Sequence, residues 1–374
     1  MKKRKIVSFL ALPLLLLGAC QPEEENEEEA IEEVNTEDES TAVSRNQLGR
    51  NYYRPALNED GNYIVSENRG ITLSLNSGIN IDLFEKDLIR LSQDSYPTDQ
   101  FYLREGQYLS EEKVRTWIQR ESEENPEGLN PKEAGDEEDR NPRYLNSILE
   151  LDFYKEEEEG LNISGLSIGL ALNSVDYYTA EQFGPTLEEE IGEEKLLEAG
   201  KEMGNEIVRR MREMDELKEL PIMVSLYKQS PRDDLAGGVY LAKGESQAQS
   251  TVVDAWQNLN EERKMFPLAG ESSAEGNAFA NFQSEVESFF PNIGGITGRA
   301  HYVDDQLASF HIDIMTQFYG ETEMISYTQF LKQSAATYLP TDIPIEILVE
   351  SSEGPEAFLE KEPADTEFYS HVFD

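Results

Sequence analysis

The single cysteine of this chain, Cys20, closes its most apolar stretch, and that pairing limits what the rest can be. Lys2, Lys3, Arg4 and Lys5 precede twelve uncharged residues running from Ile6 to Leu17. At about 1.5 Å per residue such a run reaches roughly 18 Å, short of a hydrocarbon core of about 30 Å. Pro13 interrupts it as well. The pattern is that of a cleavable export signal over residues 1–19 rather than a permanent membrane helix. With no second cysteine, the exported body has no internal disulfide and holds by packing alone.

The signal ends in Leu17-Gly18-Ala19-Cys20, with two small residues before the thiol. This pattern resembles the bacterial lipobox. The resemblance implies a diacylglyceryl group on Cys20, added by a lipid transferase before signal peptidase II cuts. Two acyl chains anchor a protein stably, whereas one binds marginally. The expected location is the extracellular face of the cytoplasmic membrane, with the membrane itself as partner.

Residues 21–46 hold eleven acids, one arginine and no aromatic residue. Such a segment cannot bury enough apolar surface to offset its ordering entropy. With Cys20 it reads as a lipidated tether over 20–46, spanning about 28 Å as a flexible coil. The whole chain carries a formal charge of −44, near −48 once the four positive charges of residues 1–19 are gone. That field disfavours nucleic acid as a partner.

Periodicity organises the remainder. Gly70–Leu75 alternates and predicts a strand, and Ile81–Gln93 has helical spacing at Phe84, Leu88 and Leu91. Phe101–Leu103 predicts a short strand, and Ser110 a cap for a helix bearing Val114, Trp117 and Ile118. Residues 121–143 read as a loop. Leu145–Tyr154 and Asn162–Val175 predict paired strands around the acidic turn at Glu156–Gly160. Thr186 and Glu189 predict a capping box for a long helix with Leu187, Ile191, Met203, Ile207, Met211 and Met214 in its stripe. Pro221 stops it, and Ile222–Tyr227 returns as a strand. The order recurs: Thr297–Val303 pairs with Leu307–Phe318, then come a helix at Ser326–Tyr338 and a strand at Ile345–Val349. Amphipathic helices are expected around Val252, Val253, Trp256 and Leu259, and around Phe279, Phe282 and Val286. The expected fold class is α+β, with mixed sheets, packed helices and two related halves, 47–228 and 229–374.

Four segments, FYLREGQYLSEEKVRTWIQR (101–120), EGLNP (127–131), GLSIGLALNSVDYY (165–178) and YLPTDIPIEILVESSEGPEAFL (338–359), carry a wider resemblance. The chain resembles the CamS family, lipoprotein precursors of the sex pheromone cAM373. The resemblance implies that the released signal supplies a heptapeptide ending before the lipidated cysteine. Here that peptide is Pro13-Leu14-Leu15-Leu16-Leu17-Gly18-Ala19, richer in Leu than the family-type peptide and starting with Pro.

Motifs for chemistry in the body are sparse. Neither a His-Glu-x-x-His nor a phosphate-binding Gly-x-x-x-x-Gly-Lys occurs, and the Gly-x-Ser-x-Gly match at Gly165–Gly169 lies inside a predicted strand, not at the strand-to-helix turn of a nucleophile elbow. His311 and Asp313 share one face of a predicted strand, a pair too small to assign a metal, and no cofactor is expected. Seventy-six acids place carboxylates together by chance, so no glycosidase pair stands out. The best binding candidates are Tyr102, Arg104, Glu105, Gln107 and Tyr108 around Gly106, with Asn173, Ser174, Tyr177 and Tyr178 at a strand end. A binding body is the expected function. A solute-binding lipoprotein and an envelope hydrolase are the alternatives.

Overall fold

An unbroken apolar strand such as Gly165–Leu172 must be covered on both faces. The computed structural model shows that cover; it describes residue 48 and residues 50–373, apart from 73–74, 134–139, 159, 182, 269–272, 290–292 and 318–319. The signal, Cys20, residues 13–19 and the tether lie outside the described residues.

The first sheet is built from β1 (Arg54–Pro55), β2 (Tyr102–Glu105), β3 (Leu145–Glu157), β4 (Gly160–Asn173), β7 (Ile222–Gln229), β8 (Val239–Ser246) and β9 (Asp254–Asn258) in that spatial order. A side hairpin, β5 (Val175–Tyr178) with β6 (Leu187–Glu190), stands apart from it. Among the helices, α1 (Arg69–Thr72) is one turn, α2 (Gly78–Ser92) covers one face, and α3 (Glu111–Trp117) and α4 (Glu193–Met211) cover the other. Phe84, Leu88 and Leu91 of α2 pack with Phe153, Ala171 and Tyr227. Leu196, Met203, Ile207 and Met211 of α4 pack with Ile168, Leu170 and Leu226. Two glycines of β4 admit that cover. A Cβ at Gly165 would lie 2.3 Å from the Tyr96 ring, and one at Gly169 2.9 Å from Phe84. Tyr96 stacks on Phe153 at 4.3 Å and donates its hydroxyl to the carbonyls of Leu166 and Pro221.

The second sheet runs β10 (Glu261–Phe266), β11 (Ile293–Val303), β12 (Gln306–Thr316), β13 (Ile345–Ser351), β14 (Gly354–Lys361), β15 (Tyr369–Val372). Here α5 (Ala274–Phe289) and α6 (Glu321–Tyr338) pack on a single face. The sequence shows the difference. β13 alternates buried Ile345, Ile347 and Val349 with half-buried Glu346, Leu348 and Glu350. On that polar face His311 Nε2 lies 2.9 Å from Asp313 and Nδ1 3.2 Å from Glu346. Burial alone would lower the imidazole pKa, but the two carboxylates outweigh it and raise it. Among the described residues no group of three or more His, Cys, Asp or Glu is arranged to hold a metal.

The fold is thus α+β with mixed sheets. In each sheet a hairpin leads through a helix to a parallel strand, β4 with β7 and β12 with β13. That shared connectivity matches the expected order of elements; it is topology and does not establish a repeat. The described residues belong to one compact unit. The change of sheet falls between Asn258 and Glu261, because β8 and β9 extend the first sheet beyond the boundary expected after residue 228.

Three local expectations are corrected. Arg69–Thr72 is a helical turn where a strand was expected from Gly70. The Thr186–Glu189 capping box is absent: Leu187–Glu190 pairs with β5, and α4 starts later with Gly192 at its N-cap. The backbone of β5 captures those residues before the local cap can act. The helix expected around Val252–Leu259 is the edge strand β9, since β8 offers its open backbone edge. Trp256 and Val253 still reach the core, against the surface left open by Gly204 and Gly244.

Candidate functional site

The turn from β2 to α3 is held from beneath by two acids of β3. Glu150 and Asp152, two residues apart, point to one face of the strand. Glu150 accepts the backbone N–H groups of Tyr108 and Leu109, at 3.1 and 2.8 Å. Asp152 accepts that of Gln107 at 3.0 Å. Both side chains are fully buried, Glu150 at 1 % and Asp152 at 0 % exposure. Burial raises both carboxyl pKa values, and the neighbouring Glu150 charge drives Asp152 well above the usual range. Asp152 Oδ1 accepts no N–H or O–H from a described residue, and a proton shared between the two raised carboxyls would satisfy it. Neither carboxyl reaches solvent, so the pair is a clasp for the turn and not a ligand site.

A carboxyl group with a raised folded-state pKa gives stability that is complete below about pH 4 and is lost as pH rises. Asp152→Asn keeps the acceptor for Gln107 and offers Glu150 an N–H in place of the shared proton. Thermal melts are expected to show this variant about 2–4 °C above wild type at pH 7, with the difference closing at pH 4. A variant less stable at pH 7 contradicts the shared proton.

The five residues expected to meet a ligand are spent on the fold. The Tyr102 hydroxyl accepts from Arg54 at 2.8 Å and donates to Glu156 at 3.0 Å. Arg104 donates to the carbonyls of Ala56 and Leu57 and lies 4.5 Å over the Tyr154 ring. Glu105 takes the Tyr63 hydroxyl and the Ser66 N–H, each at 2.8 Å. Gln107 donates its amide to the Glu105 carbonyl, and the N–H of Tyr108 goes to Glu150. Together they tie residues 54–69 to the first sheet.

What the clasp positions is α3, and α3 forms the wall of an open cleft. One part, about 1080 Å³, runs past Glu67, Glu111, Arg115, Gln119, Arg120, Glu124 and Arg143. The other, about 410 Å³, shares Arg115, Gln119 and Arg143 and continues to Asn76, Asn146, Asn173, Tyr177 and Arg232. Asn173 and Tyr177 line this cleft, one of the two roles open to that strand end, the other being simply to terminate the strand.

The cleft gathers arginines in a chain dominated by acids. Arg115 pairs with Glu111, and Arg140 pairs with Asp176 while lying 3.9 Å over the Tyr178 ring. Arg143, Arg120 and Arg232 have no carboxylate within ion-pair distance among the described residues. Arg120 donates to the carbonyls of Pro131 and Asn141. Arg143 donates one N–H to the Ile118 carbonyl at 3.1 Å, and its buried Nε has no partner among the described residues. Burial and the neighbouring Arg120 charge lower the Arg143 pKa. Arg232 lies 4.0 Å over the Tyr177 ring. This arrangement supplies charge and hydrogen bonds. The lining contains no histidine, cysteine or lysine among the described residues, so it lacks the usual general bases apart from carboxylates.

A profile of the CamS sex pheromone cAM373 precursor family matches residues 63–367. The chain belongs to the CamS family. It is 34 % identical to a sex pheromone precursor from Lactobacillus salivarius subsp. salivarius UCC118, whose crystal structure superposes with a TM-score of 0.83. That likeness covers 88 % of this chain and 98 % of the other. The C-terminal domain of the sex pheromone staph-cAM373 precursor from Staphylococcus aureus is 29 % identical, with a TM-score of 0.70. It covers 80 % of this chain and 98 % of that domain. No curated protein matches the chain. All four family-typical segments lie inside the matched residues, and they contain Arg115, Arg120, Asn173 and Tyr177 of the cleft.

Proposed function

We propose that this CamS protein is a lipid-anchored precursor with two products. A transferase places diacylglyceryl on Cys20, signal peptidase II cuts before it, and the body stays on the extracellular face of the membrane. Residues 13–19 leave as the candidate pheromone peptide. Family membership over residues 63–367 together with Leu17-Gly18-Ala19-Cys20 is the observation that carries this reading. Among the described residues no helix is long and apolar enough to cross a membrane. The body acts as a binding module, with the cleft along α3 as its recognition surface. Binding is favoured over hydrolysis by a lining of arginine, amide and tyrosine groups. The cleft lies wholly on the first sheet and its adjoining loops, unlike the interlobe cleft of the solute-binding class.

Cells grown with a clickable palmitate analogue test the anchor. Wild-type protein is expected in the membrane fraction carrying label, and Cys20→Ala is expected to lose all of it. Label retained by Cys20→Ala, or unlabelled wild-type protein, overturns the reading.

A further inference from the structure

The two ends of the cleft differ in charge. Glu67, Glu111, Glu112 and Glu124 line the larger part, beside α3, together with Arg115, Arg120 and Arg143, and Glu111 is paired with Arg115. The smaller part holds Arg143 and Arg232, together with the side-chain amides of residues such as Asn146. Its one carboxylate, Asp176, is already paired with Arg140. The Arg143 guanidinium is half-buried, and among the described residues its one hydrogen bond runs from Nη2 to the Ile118 carbonyl. A guanidinium fork in that state matches the two oxygens of a carboxylate or phosphate. Within a chain of net charge −44, the smaller part, with Arg115, Arg143 and Arg232 against Asp176 alone, is a local reversal of sign.

We propose that the cleft is a site for a small zwitterionic solute of the peptide type. Its carboxylate lies at Arg143 and Arg232, its backbone meets the amide side chains, and its ammonium faces the glutamates by α3. The assignment rests on the cleft being the recognition surface of the body. It does not involve Cys20, so its failure leaves the anchoring reading standing.

Isothermal titration of the detergent-solubilised lipoprotein with alanyl-alanine tests it. Saturable binding is expected, weakened at least about 10-fold when the dipeptide carboxylate is amidated and by a similar factor in Arg143→Gln. Arg232→Gln, whose side chain stacks on an accessible tyrosine, serves as the second variant should Arg143→Gln unfold. Arg209→Gln, on the exposed face of α4, is expected to bind as wild type. Absence of saturable binding in the millimolar range overturns the proposal. Equal affinity for the amidated dipeptide overturns it too. Inorganic phosphate binding more tightly than the dipeptide overturns the peptide assignment and makes phosphate the source of the oxyanion.

Discussion

Arg90→Met is expected to destabilise the body by about 3–5 kcal/mol, measured by urea unfolding at pH 7. Arg90 sits at the end of α2, between the two sheets' charges. Its Nε lies 3.1 Å from Asp87, and Nη2 lies 2.9 Å from both carboxylate oxygens of Glu261. Arg263 reaches Asp87 from β10, and His301 of β11 lies 3.1 Å from Glu261. The Asp87 and Glu261 side chains are 5 % and 2 % exposed. Removing Arg90 leaves two buried acids sharing one arginine and one histidine, and the cost of an uncompensated buried charge dominates. The exposed Arg209, paired with Glu206 and Glu213 on α4, is the comparison. Arg209→Met is expected to cost under about 1 kcal/mol. The cluster also fixes a pH dependence. Burial alone would raise the Asp87 pKa, but Arg263 and Arg90 outweigh it and hold it below the ordinary range. A lowered carboxyl gives stability that is present above about pH 4 and lost as pH falls. Acid is therefore expected to weaken this cluster while it favours the Glu150–Asp152 clasp. A loss below about 1 kcal/mol in Arg90→Met contradicts the role given to the cluster.

Gly106→Val is expected to cost about 3 kcal/mol and to disturb α3 as well. A Cβ at position 106 would lie 2.3 Å from Cβ of Glu150 and 2.4 Å from its Cγ. Glu150 cannot swing aside cheaply, because its carboxyl holds the N–H groups of Tyr108 and Leu109. Overpacking costs about 1–3 kcal/mol, and freeing buried N–H groups adds about 1–3 kcal/mol for each one left unsatisfied. The turn also leads directly into Ser110, whose hydroxyl caps α3 by accepting from Lys113. Hydrogen exchange is expected to show faster opening of residues 107–117 in this variant, while α6 stays protected. Equal protection throughout, with wild-type stability, contradicts the clasp.

The sequence carried the parts of the fold in which local pattern and burial agree. Ser110 caps a helix as its position predicts, and the unbroken apolar run of β4 is buried on both faces. Patterns failed where a neighbouring strand offered a better partner. β6 and β9 both carry helix-compatible spacing, and both are taken by an open strand edge. The five-residue binding candidate is hard to read for another reason. Aromatic and charged side chains around a glycine turn look the same whether they face a ligand or fasten a preceding segment. Only the position of residues 54–69 decides that. The clasp did leave a signal: Glu150 and Asp152 alternate with Leu149, Leu151 and Phe153 inside an apolar strand. Against so many acids that pattern was hidden by number. The cleft arginines come from positions 115, 120, 143 and 232, brought together by the sheet and not by spacing.

One cut before Cys20 is proposed to separate an anchored body from a releasable peptide. Mass spectrometry of membrane and medium addresses it directly. Trypsin releases residues 20–45 as one peptide, since Arg45 is the first basic residue after Cys20. This peptide, from the membrane fraction, is expected to start at Cys20 and carry the mass of diacylglyceryl, with the 13–19 peptide found in the medium. An unmodified Cys20, or a membrane-bound chain that retains residues 1–19, contradicts it.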